Sequence, residues 1–74
     1  MAKLPVMRGA DVVRAFEALG WEVVRSQSSH IILVKDGEMA TLSVPDHAEV
    51  AKGTLRSLIR QAGVTVDGFV EATK

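Results

Sequence analysis

The chain has two histidines, His30 and His47, and no cysteine. His30 follows Ser28 and Ser29 and directly precedes the apolar run Ile31-Ile32-Leu33-Val34. A histidine at the mouth of a strand is a candidate proton-transfer group, because imidazole is the side chain that ordinarily titrates near neutral pH. Metal-free cleavage of an RNA phosphodiester is one reaction such a group can serve. It needs a base for the 2′-hydroxyl proton and an acid for the leaving oxygen, and a histidine can act as either. The competing reading is a strand-edge histidine hydrogen-bonded to its turn.

His47 lies two residues after Pro45. If its loop folds back across the strand of His30, it can supply a second proton-transfer group; otherwise it is a surface loop residue. Two histidines without cysteine are too few for an ordinary structural zinc site. A mixed site with Asp46 or Glu49 has no motif behind it. The segment Lys52-Gly53-Thr54-Leu55-Arg56 sets a lysine, a glycine, a hydroxyl and an arginine at the start of a helix, where free backbone N–H groups favour an anion such as a phosphate. The glycine spacing of a P-loop is absent. Ser28 and Ser29 are poor nucleophile candidates, since successive strand residues point to opposite faces and Ser29 should not meet His30. Phe16 and Trp21 read as core, and no interleaved aromatic signature of RNA recognition is present.

The periodicity predicts the elements that carry these groups. Helix 1 is expected from Gly9 to Leu19, with Val12, Val13, Phe16 and Leu19 on one stripe. Asp11 lies in its first turn and Gly20 is the expected left-handed terminator. Strand 1 is expected over Trp21–Arg25, followed by a polar turn, Ser26 to Ser29. Strand 2 is expected over His30–Lys35, and strand 3 over Met39–Val44. Asp36-Gly37 between them is a hairpin signal, as both residues tolerate positive φ. Asp46 to Lys52 reads as a loop with some helical character. Helix 2 is expected from Thr54 to Ala62, capped by Gly53 or Thr54, with Leu55, Leu58, Ile59 and Ala62 inward and Gly63 closing it. Thr65 to Ala72 reads as a further helical turn.

The order α-β-β-β-α predicts an α+β two-layer sandwich, a three-stranded antiparallel sheet with two helices on one face. Strand 2 is apolar on both parities, so Ile32 and Val34, or Ile31 and Leu33, are left on the open face, where an apolar patch suggests a partner.

Seventy-four residues bound the chain to one domain, expected to span 1–74. A chain of this size buries only ~60% of its unfolded surface, so its stability is modest. Nine Lys and Arg balance nine Asp and Glu, so no overall field marks a nucleic-acid binder. Phosphate contacts then depend on how the basic residues cluster. The lack of cysteine suits the cytoplasm. Met1–Pro5 is not expected to be a signal peptide, having no apolar region of that length, and no apolar run is long enough to span a membrane.

Several stretches together resemble the HicA family of bacterial toxins, also called YcfA-like. Gly20-Trp21-Glu22-Val23-Val24-Arg25 resembles the family's segment after helix 1. Ser29-His30-Ile31-Ile32-Leu33 resembles its Gly-Ser-His motif and strand, with Ser28 standing where the glycine is usual. Val44-Pro45-Asp46-His47 resembles a V-P-x-H segment, and the run from Gly53 to Gly63 is similar to the helix G-T-L-R-x-I-x-x-Q-A-G. The resemblance implies a fold like the double-stranded RNA-binding domain and a ribosome-independent mRNA endoribonuclease with His30 as catalytic histidine. It further implies a HicB-type antitoxin as partner, and neither metal nor organic cofactor. The expected RNA contacts are Arg25, Ser29, Lys35, His47, Lys52, Thr54 and Arg56. The alternative is the same fold used without catalysis, to bind RNA or the antitoxin. Oligomeric state is not legible.

Overall fold

A computed structural model of the chain describes residues 3–74; Met1 and Ala2, the start of the segment weighed as a leader, lie outside them. The elements are α1 (Gly9–Ala18), β1 (Glu22–Gln27), β2 (His30–Val34), β3 (Leu42–Pro45), α2 (Lys52–Ala62) and α3 (Val66–Ala72). The strands form one antiparallel sheet in the order β1-β2-β3. This is the expected α+β architecture, and the further helical turn read over Thr65 to Ala72 is the short helix α3.

Alternation decides which sheet face is covered. Leu33 of β2 lies opposite Leu42, and Ile31 opposite Val44. Leu33, Leu42 and Val44 have no exposed surface and cluster with Val12, Phe16, Leu55, Ile59 and Phe69 of the helices. His30, Ile32 and Val34 have the opposite parity and stand on the face without helices. The core is centred on Phe16, whose ring lies 5.0 Å from Phe69 and 6.4 Å edge-on from Trp21. Phe16 and Trp21 are thus packing residues, although the Trp21 indole N–H is buried without an acceptor.

The N-cap of α1 is Arg8, which offers no side-chain cap, and the helix ends through Leu19 into Gly20 at φ +99°. Lys35 completes that end: its Nζ donates to the Leu19 carbonyl at 2.9 Å while its stem lies over Gly20. A cation at a helix C-terminus meets the unbonded carbonyls and the negative end of the dipole. α2 begins two residues earlier than expected. Ala51 is its extended N-cap, the Leu55 N–H donates to the Ala51 carbonyl at 2.9 Å, and neither Gly53 nor Thr54 is the cap. Gly63 closes α2 in the left-handed conformation, as expected. α3 is capped by Thr65, whose hydroxyl accepts from the Gly68 N–H, and it buries Phe69 completely.

The hairpins differ from expectation for identifiable reasons. Strand β1 reaches Gln27, because the turn is only Ser28-Ser29; Ser28 takes φ +56°, and pairing continues to Gln27 opposite His30. At the second hairpin only Gly37 has positive φ, and the Glu38 N–H closes the turn on the Lys35 carbonyl at 3.0 Å. A two-residue type I′ hairpin needs positive φ at both central residues. Pairing therefore resumes only at Leu33 opposite Leu42, and Met39 is fully exposed before β3.

Candidate active site

The open face is built from alternate residues of all three strands. His30 opens β2 with Gln27 on one side and Pro45 on the other. Cross-strand partners share a face, so Gln27, His30 and Pro45 line one end of it. Arg25 joins them through an irregularity in β1. Val23 pairs with Leu33, Val24 is skipped, and Arg25 pairs with Ile32. The bulge brings Arg25 onto the face of His30, two positions along from it, while Gln27 lies directly opposite His30. Gln27 is not among the residues the sequence singles out, although it lies two positions from Arg25, the spacing at which strand residues share a face.

His30, Arg25 and Gln27 are all exposed. Among the described residues, the His30 imidazole has no hydrogen-bond or ion-pair partner, so the turn-bonded alternative is not the arrangement adopted. A solvated imidazole with both nitrogens available can give or take a proton from a ligand on the sheet. Ser29 acts through its backbone, its carbonyl accepting the Asp46 N–H at 2.6 Å.

The remaining expected residues lie elsewhere. His47 follows the end of β3, but it lines a groove of about 420 Å³ with Arg8, Asp11, Arg14 and Asp46 at the start of α1. Its carbonyl accepts the Gly9 N–H at 2.9 Å. Lys35 is five residues from His30, roughly 16 Å along an extended strand at ~3.3 Å per residue. With its ammonium held by Leu19, Lys35 serves α1 instead of the His30 end of the sheet. Lys52, Thr54 and Arg56 are exposed on the first turns of α2, which holds no acidic residue there and no side-chain cap. The Leu55 N–H bonds to the Ala51 carbonyl, so the N–H groups before it stand at the free start of the helix, where an anion is favoured.

Small size, an α-β-β-β-α-α order and a helix-free sheet face carrying one free histidine among polar and apolar residues define a compact α+β protein with its candidate chemistry on the sheet. A family model of the HicA toxin of bacterial toxin-antitoxin systems matches residues 9–64, and the chain belongs to that family. It is also similar to a solved chain of a toxin-antitoxin complex from Streptococcus pneumoniae, with 34% identity, a TM-score of 0.70, and coverage of 78% of this chain and 98% of that one. No curated protein matches it. No helix among the described residues is long and apolar enough to cross a membrane.

Proposed function

We propose that this chain, as one domain over residues 1–74, is a metal-independent endoribonuclease that cleaves mRNA. The observation that carries the reading is His30, exposed and unbonded on the open face beside Arg25. His30 takes the 2′-hydroxyl proton or gives a proton to the leaving 5′ oxygen, and water serves the other transfer. Arg25 and Ser29 lie near the scissile phosphate. Lys52, Thr54 and Arg56 hold a backbone phosphate at the start of α2, and His47 contacts the strand at the end of β3. Such contacts position RNA without reading its sequence, so cleavage is loosely specific. A fold like the double-stranded RNA-binding domain, which the family resemblance implies, would suit this use of a helix start and a strand turn.

Membership of a toxin family and likeness to a chain of a toxin-antitoxin complex support a protein antitoxin of the HicB type as partner. It would cover His30 by resting on the half-buried Ile32 and Val34 of the same face. Both proteins would act in the cytoplasm. The test is induced expression of wild type and His30→Ala with mRNA integrity and growth recorded. Loss of mRNA with wild type alone supports the reading. Intact mRNA with wild type, or equal damage with both, overturns it and favours the non-catalytic module.

A further inference from the structure

Gly9, the first residue of α1, is buried against the end of β3. A Cβ there would overlap the Pro45 carbonyl oxygen and lie 3.0 Å from the Asp46 Cα and 3.2 Å from the His47 nitrogen. Its φ is not in the left-handed region. The need for glycine is therefore close approach of two backbones. Pro45 is the cross-strand partner of His30.

Three hydrogen bonds fix this junction. The Gly9 N–H donates to His47 at 2.9 Å, and the Val50 N–H donates to Met7 at 2.8 Å. These clip the loop after β3 to the chain entering α1. The Asp46 N–H donates to Ser29 at 2.6 Å, clipping the loop to the residue before His30. The β2–β3 pairing thus extends one bond beyond the strand, and His30 lies inside it.

We infer that Gly9 is a positioning residue for His30. By letting α1 seat on Pro45 and Asp46, it sets the end of β3 against which His30 is held. The inference rests on the catalytic reading of His30 above. A side chain at position 9 has to push Pro45 and Asp46 away, loosening the Asp46–Ser29 bond and the strand end. A shift of about 1 Å in a catalytic group can cost ~100-fold in rate.

The experiment is steady-state cleavage of a short fluorogenic RNA below the melting temperature of every variant, with rates referred to folded protein. The variants are Gly9→Ala, His30→Ala, and a chain with one glycine inserted between the exposed residues Ala48 and Glu49. The insertion slackens the clip without entering the core. Both loosened chains are expected to lose at least tenfold in kcat while KM changes less than threefold. In Gly9→Ala the Asp46 amide should also exchange with solvent at least tenfold faster. A merely structural glycine would lower the melting temperature and leave kcat of folded protein unchanged. Wild-type kcat in either folded variant, with His30→Ala inactive, overturns the positioning role alone. An inactive wild type, or an active His30→Ala, overturns the catalytic reading and this inference with it. If Gly9→Ala fails to fold, the insertion variant decides.

Discussion

Arg25 lies directly across from Ile32, and that pairing puts its guanidinium on the face of His30. Uninterrupted pairing from Val23 onward would set Arg25 opposite Ile31, toward the helices. A one-residue slip exchanges the two faces of a strand. The extra residue Val24 absorbs that slip and keeps the Arg25 side chain on the open face, a re-aiming that β-bulges commonly perform.

Replacing His30 by alanine is expected to reduce RNA cleavage by ~10²–10⁴-fold, the usual contribution of general acid–base catalysis. The melting temperature should hardly move, because the side chain is exposed and unbonded. Cleavage kinetics and a thermal melt on the same sample separate the two.

Ser28 occupies a left-handed conformation at φ +56°. That region costs a side-chain-bearing residue ~1–2 kcal/mol, less when a short polar group bonds locally. Glycine avoids the strain but adds freedom to the unfolded chain. Ser28→Gly should therefore stabilise by a net ~0.5–1 kcal/mol. Urea unfolding reads this directly, and an unchanged or lower midpoint would contradict the turn geometry.

Lys35 and Lys52 should separate cleanly. Lys35→Met removes the bond to Leu19 and the favourable dipole interaction, costing ~1 kcal/mol of stability without weakening RNA binding. Lys52→Ala and Arg56→Ala should leave the melting temperature nearly unchanged. Each should weaken binding to every RNA and lower the slope of log affinity against log salt by ~1. Titrations at several salt concentrations check this.

The matched family segment ends at residue 64, yet the core does not. Phe69 of α3 is fully buried against Phe16. Phe69→Ala should cost ~3–5 kcal/mol. Folded chains of this size have only ~4–11 kcal/mol in hand. A chain cut after Val64 is expected to lack a cooperative transition by circular dichroism, and a sharp melt would show the core to be sufficient without α3.

Burial patterning made the helices legible. Val12, Val13 and Phe16, and likewise Leu55, Leu58, Ile59 and Ala62, are buried as their spacing required. Gly20 and Gly63 mark helix ends because their backbones have to turn left-handed there. The bulge at Val24 was illegible, since Val23-Val24 is apolar on both parities and fits either register. Charge alone points Lys35 toward RNA; its partner is a backbone carbonyl sixteen residues away, which carries no sequence signature. Thr54, a good cap residue, points to a late start for α2, while Ala51 begins the helix through backbone geometry alone. His30 was found by residue type, but its neighbours Gln27 and Pro45 became visible only with the register.

The bulge also fixes where β1 can change length. Removing Val24 leaves Val23 opposite Leu33 and Arg25 opposite Ile32, so it costs the sheet only some local twist. Removing Ser26 instead lets the strand straighten by moving Arg25 across from Ile31, off the face that carries His30. Two deletions two residues apart in the same exposed strand should thus both leave a folded protein, with Arg25 on the face of His30 in the first and on the opposite face in the second.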